Sequence, residues 1–79
     1  MSYFDDNRGS NYTLYWVEFF IDHEELHEIA KIKDKQEAFP IIKKYLLENH
    51  KDICHYVITE HDRYTRFKNG NEIFRLYKT

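Results

Sequence analysis

One segment restricts the folds open to this chain more than any other. Residues Asn11 to Ile21 read NYTLYWVEFFI, and this density of aromatic and β-branched residues, without glycine or proline, predicts a β-strand. Alternate side chains of a strand point to opposite faces, and both faces of this strand are apolar. The strand must therefore be covered on both sides, by the fold itself or by a partner.

The length and the cysteine content limit how such a strand can be stabilised. A chain of 79 residues forms one domain with a narrow margin of stability, which we assign to residues 11–79, after a disordered polar tail at residues 1–10. The single cysteine, Cys54, excludes an internal disulfide. A reducing, cytoplasmic setting and a partner chain are therefore expected. No apolar run approaches the roughly 18 residues of a membrane span, so no membrane association is expected.

The middle of the chain predicts a second strand and a helix. Residues 26–33 are interpreted as the return strand of a hairpin, with Leu26, Ala30 and Ile32 facing inward, although their spacing also suits a helix. A helix is predicted over residues 34–50. Asp34 and Glu37 occupy capping-box positions, and Pro40 predicts a kink or a separate first turn. The helix has one apolar stripe, formed by Ala38, Phe39, Ile42, Tyr45 and Leu46.

The end of the chain predicts a hairpin. Asn69-Gly70 is the strongest turn signal, because both residues tolerate the positive φ of a type I′ turn. A two-residue loop at this position would pair Phe67 with Glu72 and leave neither face cleanly apolar. Another strand is predicted at residues 53–60, and residues 61–68 continue it past a bend. The order β-β-α-β-β predicts an α+β fold, a small antiparallel sheet of about four strands with one helix packed on one face.

His23, Glu24 and His27 match the H-E-x-x-H pattern of zinc proteases. In those enzymes the two histidines lie one turn apart on a helix and bind zinc, while the glutamate activates a water molecule. Here Asp22 and Glu25 make the segment acidic, and it falls at a predicted hairpin turn. We therefore expect a solvated turn with no metal and no cofactor, and no effect of His23→Ala or His27→Ala on folding or function.

No catalytic constellation is apparent elsewhere in the sequence. Cys54 is expected to be a buried apolar residue of a strand, and His55 would then point to the opposite face, too far away to act as its base. Gly9 and Gly70 are the only glycines, so no glycine-rich phosphate loop is present. The chain is expected not to be an enzyme.

Aromatic residues are the better functional indication. The chain has seven tyrosines, six phenylalanines and one tryptophan, more than one small core can enclose. Tyrosines that are half-buried on the sheet, with their hydroxyls in water, would account for part of this number. The alternative is an uncovered sheet face that binds a partner, because tyrosine, tryptophan and arginine dominate interface hot spots. The candidate partner-binding residues are Tyr12, Tyr15, Trp16 and Phe19, and one same-face pair, Tyr12–Trp16 or Tyr15–Phe19, is expected to lie outside the core.

The last hairpin suggests a second class of function. It alternates cations with rings, as platforms for single-stranded nucleic acid do. The candidate anion-binding or nucleic-acid-binding residues are Arg63, Tyr64, Arg66, Phe67, Lys68 and Arg75. The net charge of −2 and the acidic first half of the chain argue against nucleic acid as the main partner.

The sequence therefore favours a small non-enzymatic protein-binding module, with a second copy of the chain as one candidate partner. Single-stranded nucleic-acid or nucleotide binding is the alternative. A composition rich in Lys, Ile, Asn and Tyr, with two glycines and one proline, is typical of AT-rich genomes. By association, it indicates a phage or mobile-element protein that inhibits or redirects a host protein.

Overall fold

The computed structural model describes residues 10–79 as five antiparallel strands and one α-helix. The strands are β1 (Tyr12–Phe19), β2 (Glu24–Ile32), β3 (Tyr56–Glu60), β4 (Tyr64–Asn69) and β5 (Glu72–Lys78), and the helix α1 (Ala38–Glu48) follows β2. The strand order in the sheet is β2-β1-β5-β4-β3. The tail expected at residues 1–10 lies outside the described residues except for Ser10, whose carbonyl accepts a hydrogen bond from Thr79.

Helix α1 covers one face of the sheet through the predicted stripe. Ala38, Ile42 and Leu46 are fully buried, while Phe39 and Tyr45 pack at the margin of the core. The sheet contributes Leu14, Ile32, Phe67, Phe74 and Leu76 to the same core. The α+β class with one helix on one face is thus confirmed. No helix among residues 10–79 is long and apolar enough to cross a membrane.

The start of the helix differs from the predicted capping box. A 3₁₀ turn over Lys35–Glu37 precedes α1, and the Asp34 side chain caps nothing. The Glu37 carboxylate instead accepts a hydrogen bond from the backbone N–H of Lys33. Pro40 then lies in the first turn of α1, where its missing N–H costs no helical hydrogen bond. The predicted separate first turn is therefore confirmed.

Strand β2 is confirmed as a strand, but its facing residues change along its length. Leu14 pairs with Ala30 while Tyr15 pairs with Glu28, so Ile29 is an extra residue in a β-bulge. Because each residue reverses the direction of the side chain, the bulge shifts the alternation by one. Ala30 and Ile32 face the helix as predicted, whereas Leu26 faces the other side and is 42% exposed.

The chain forms five strands because residues 56–69 fold back on themselves. The strand predicted at 53–60 begins only at Tyr56, and β4 returns beside it instead of continuing it. The backbone N–H of His61 donates to the carbonyl of Tyr64 and closes a tight turn around Asp62 and Arg63. That turn contains Asp62 but no glycine or proline, so the sequence indicated a bend there and not a reversal of the chain.

The last hairpin has a different register from the predicted one. Asn69 pairs with Glu72 and Phe67 pairs with Phe74, so the loop residues are Gly70 and Asn71. Gly70 has a φ of 60° and is the only residue of this turn with a positive φ, which fits glycine at the first loop position of a type II′ turn and not a type I′ turn at Asn69-Gly70. The new register makes one face of the hairpin apolar and gathers its tyrosines and arginines on the other.

Cys54 is exposed and not buried in a strand. It lies in the connection before β3, and the side chain of the buried Asn69 holds it there. The Asn69 amide oxygen accepts from the Cys54 N–H at 3.1 Å, and its nitrogen donates to the Cys54 carbonyl at 3.3 Å. A strand that began at residue 53, as predicted, would pair the backbone of Cys54 with a neighbouring strand. Here the side chain of Asn69 makes those two hydrogen bonds instead.

Candidate functional site

The sheet has a second face, opposite α1, which no described element covers. We call it the open face. Alternation along the strands places these residues on it: Thr13, Tyr15, Val17 and Phe19 of β1, Glu24, Leu26, Glu28 and Lys31 of β2, Ile73, Arg75 and Tyr77 of β5, Tyr64, Arg66 and Lys68 of β4, and Val57 and Thr59 of β3. It is therefore a mixed surface of rings, aliphatic side chains and charges.

Three tyrosines form a continuous row across the three middle strands of the open face. The ring of Tyr77 lies 5.5 Å from that of Tyr15, edge to face, and 5.0 Å from that of Tyr64. The imidazole of His61 stacks on Tyr64 at 4.7 Å and extends the row to the β3–β4 turn. Edge-to-face contacts of this kind stabilise rings beyond the area that they bury. The contact between Tyr15 and Tyr77 has this geometry, whereas the rings of Tyr64 and Tyr77 are tilted by 39°.

Two arginines lie directly opposite each other beside this row. Arg66 of β4 pairs with Arg75 of β5, and like charges opposite each other on neighbouring strands destabilise a sheet. The guanidinium carbon of Arg75 lies 5.0 Å from the centre of the Tyr64 ring. We call Tyr15, Tyr64, Tyr77, Arg66 and Arg75 together the tyrosine–arginine cluster.

The two arginines differ in how their charge is balanced. Arg75 forms a two-pronged ion pair with Glu24, which crosses over β1. Burial lowers the pKa of Arg75, but hydrogen bonds with Glu24 and Tyr77 outweigh that effect and raise it. Among the residues that the structure describes, Arg66 makes one long hydrogen bond of 3.5 Å, to the hydroxyl of Thr59. Within residues 10–79, neither Arg66 nor Lys68 pairs with a carboxylate, so this part of the open face has an excess of positive charge.

Hydrogen bonding of the arginines is also incomplete. The Nε atoms of Arg66 and Arg75 are buried and have no hydrogen-bond partner among the described residues. A buried donor without an acceptor costs on the order of 1–3 kcal/mol. Both Nε donors therefore stay unsatisfied among the described residues, and their burial keeps them from the surface that a partner would contact.

The other end of the open face is apolar. Val17 is only 2% exposed although no helix covers it. Its neighbours on the adjacent strands are Leu26 and Ile73, and Phe19 follows two residues later on β1 with 52% of its surface exposed. Phe20 and Ile21 extend the exposed apolar surface into the hairpin tip. Such a patch on a small domain normally marks an interaction surface.

The structure divides the first-strand candidates between the two faces. Tyr12 and Trp16 pack against the helix-side core, whereas Tyr15 and Phe19 lie on the open face. Trp16 also donates a 2.9 Å hydrogen bond from its indole nitrogen to Glu72. All six described tyrosines are half-buried, as expected for rings that keep their hydroxyls near water.

The candidates of the last hairpin divide in a similar way. Tyr64, Arg66, Lys68 and Arg75 share the open face, but Phe67 is a core residue that is 2% exposed. Arg63 lies in the β3–β4 turn. Tyr77 belongs to neither predicted set, although it joins the two halves of the tyrosine row. With the correct register of the hairpin, the sequence would have indicated Tyr77 as well, because that register pairs Tyr77 with Tyr64.

Comparisons with known proteins add no relative: no family model, curated protein or solved structure matches this chain.

Proposed function

We propose that this chain is a small non-enzymatic protein-binding module whose open face docks a partner protein with acidic side chains. The observation that carries the proposal is the like-charged pair Arg66 and Arg75, set among three tyrosines on a sheet face that no described element covers. A carboxylate from a partner would balance the charge of Arg66, which pairs with no carboxylate within residues 10–79.

The residue types on the open face also support a protein partner. Tyrosine and arginine are enriched at the centres of protein interfaces. The rim of an interface is polar and stays accessible to solvent. At the apolar end, Phe19 and Leu26 are half exposed. A partner would bury this apolar surface, which adds a hydrophobic contribution to the electrostatic one. The proposal includes the role expected from composition, a phage or mobile-element protein that inhibits or redirects a host protein by occupying its surface. The exposed thiol of Cys54 supports a reducing, cytoplasmic setting.

A second candidate is single-stranded nucleic-acid binding, which the guanidinium of Arg75 over Tyr64 favours. It ranks second because Glu24 already balances Arg75 and Glu28 balances Lys31. Arg66 and Lys68 are then the cations of the open face left for phosphates. Nucleic-acid affinity comes largely from many such contacts, so two would give only weak binding.

Charge reversal at Arg66 tests the proposal with little risk to folding. In Arg66→Glu the new carboxylate lies opposite Arg75, so a repulsive cross-strand pair becomes an attractive one, and stability should rise by about 0.2–1 kcal/mol. Binding should fall at the same time by roughly thirtyfold or more, the equivalent of about 2 kcal/mol at an interface hot spot. The control is Lys43→Glu, an equal charge change on the exposed side of α1.

The measurement is retention of host proteins on the immobilised wild type and the two variants, with and without nuclease, followed by the affinity of the purified partner. We expect a host protein that stays bound after nuclease treatment, and that the Lys43→Glu variant retains and the Arg66→Glu variant loses. Equal retention by both variants would refute the open face as the docking surface. A nuclease-sensitive complex that Arg66→Glu weakens would instead establish the nucleic-acid alternative.

A further inference from the structure

Three side chains with metal-binding atoms meet on the helix-side face of the β1–β2 hairpin. Glu18 of β1 lies opposite Glu25 of β2, and His27 is two residues further along β2 on the same face. The Nε2 atom of His27 is 2.9 Å from a carboxylate oxygen of Glu18 and 3.9 Å from one of Glu25. One donor atom from each of the three residues lies within 4.8 Å of the others.

Neighbouring residues restrain this group and extend it. The ring of His27 stacks against Trp16, with 5.3 Å between ring centres and a tilt of 31°, and Trp16 is itself fixed by its bond to Glu72. His23, just before β2, places its Nε2 atom 3.5 Å from the second oxygen of Glu25. Of the three residues it now contacts only Glu25, and a movement of its side chain would bring it in as a fourth donor and second nitrogen.

The donor set suits a particular class of ion. One or two imidazole nitrogens with two carboxylates match Zn²⁺, which binds such atoms at about 2.0–2.2 Å in tetrahedral geometry. Donors around such an ion lie about 3.3–3.5 Å apart. The present separations of 2.9 and 3.9 Å bracket that value, so small side-chain movements would admit the ion.

We propose that Glu18, Glu25 and His27 form a Zn²⁺-binding site that joins β1 to β2, with His23 as the available fourth ligand. This is not the zinc-protease arrangement. Glu24 points to the open face and pairs with Arg75, so it cannot activate a metal-bound water molecule beside the histidines. The expectation of no metal rested on the acidity of the segment and on its place at a predicted turn, where His23 and His27 would not share a metal. The strand instead brings together Glu25, His27 and, across the hairpin, Glu18.

The site should make metal binding and hairpin stability depend on each other. An ion that binds only the folded chain raises the unfolding temperature, and this one would bridge two neighbouring strands. The proposal is independent of the docking function, because its ligands lie on the opposite face of the sheet from the tyrosine–arginine cluster. Either can fail without the other.

The test is calorimetric titration of the metal-free chain with ZnCl₂ at physiological salt, together with the unfolding temperature with and without Zn²⁺. The variants are His27→Ala and Glu25→Gln, and His55→Ala is the control because it removes an exposed histidine from the connection before β3. Circular dichroism checks that each variant is folded. A parallel titration with MgCl₂ separates a nitrogen-containing site from simple attraction of cations to carboxylates.

We expect one Zn²⁺ per chain, a raised unfolding temperature, and affinity that falls at least about tenfold in His27→Ala and in Glu25→Gln but not in His55→Ala. Mg²⁺ should not compete. Two results would overturn the site: no saturable zinc binding, or zinc binding that the folded His27→Ala and Glu25→Gln variants retain in full.

Discussion

Asn69 shows how much one buried polar side chain can organise. It is 1% exposed, and its amide satisfies both the N–H and the carbonyl of Cys54, fifteen residues earlier in the chain. The connection between α1 and β3 is attached to the sheet through these two bonds. The sequence alone assigned Asn69 to the turn, because Asn-Gly is the usual hairpin signal and nothing local indicates a partner so far away.

Asn69→Ala should therefore destabilise the fold. The Cys54 backbone groups would lose both acceptor and donor, and the expected loss in the free energy of unfolding is about 1–3 kcal/mol. Urea unfolding followed by tryptophan fluorescence measures it. Asn71→Ala, which truncates an exposed side chain of the same turn, should change stability by less than about 0.5 kcal/mol. Equal losses in the two variants would contradict this role for Asn69.

Glu60 gives a residue-level prediction about pH. A hydrogen bond from the Thr65 hydroxyl, followed by one from Lys35, lowers the pKa of its carboxyl. A lowered pKa means that the ionised form is favoured in the folded state. The resulting contribution to stability is fully present above about pH 4.3, the unfolded-state value for glutamate, and is lost as the pH falls through the lower folded-state pKa.

Removing the hydroxyl should reverse that shift. In Thr65→Val the side chain keeps its shape and loses the donor, so we expect the pKa of Glu60 to rise towards the usual glutamate value. A ¹³C NMR titration of the carboxyl group measures it directly, and Lys35→Gln should produce a smaller rise in the same direction. If the pKa of Glu60 is the same in Thr65→Val and the wild type, the hydroxyl is not the main cause.

At the level of elements, the helix, its stripe and the first and last hairpins were predictable, whereas the register of the strands and their number were not. The stripe Ala38, Ile42 and Leu46 follows from helical spacing alone. The bulge at Ile29 and the glycine-free turn after β3 depend on which strand lies alongside, and that partner is distant in sequence. The predicted register of the last hairpin was wrong for the same reason. It was chosen from the local turn preference, which does not include the stability gained when Phe67 lies beside Phe74 in the core.

Strand β1 was predicted to have two apolar faces, one packed in the core and one free to bind a partner. Substitutions on each face test these two roles separately. Trp16 packs against the helix-side core and bonds to Glu72, so Trp16→Ala should lower the free energy of unfolding by about 3–5 kcal/mol. Tyr15 lies on the open face, and Tyr15→Ala should cost less folding stability while costing about 2 kcal/mol or more of binding.

Thermal unfolding and sedimentation of both variants are the measurements. Phe74→Ala, which truncates a fully buried ring of β5, provides the reference for a core loss. If Tyr15→Ala unfolds the domain as readily as Phe74→Ala does, the rings of the open face serve as a second core and the docking role for Tyr15 is wrong.

For the whole molecule, the uneven charge along the sequence becomes a spatial arrangement. The first 34 residues contain eight acidic and three basic side chains, and the last 19 contain two acidic and five basic ones. Antiparallel pairing of β1 with β5 brings the two ends of the domain side by side, and Glu24 neutralises Arg75 across the sheet. Arg66 and Lys68 are not neutralised in this way, so positive charge is in excess at this place although the net charge of the chain is −2. We propose that this local excess attracts an acidic partner.

Site-specific photo-crosslinking in cells of the source organism tests the open face most directly. A photoreactive phenylalanine replaces Tyr77 in the centre of the tyrosine row, or Lys44 on the exposed side of α1 as the control. We predict a nuclease-resistant adduct with one protein of different mass from position 77, none from position 44, and loss of the adduct when Arg66→Glu is added. An adduct of twice the chain mass would show that the face joins two copies. Crosslinking from position 44 alone, or an adduct from position 77 that Arg66→Glu leaves intact, would contradict the role of the open face as the docking surface.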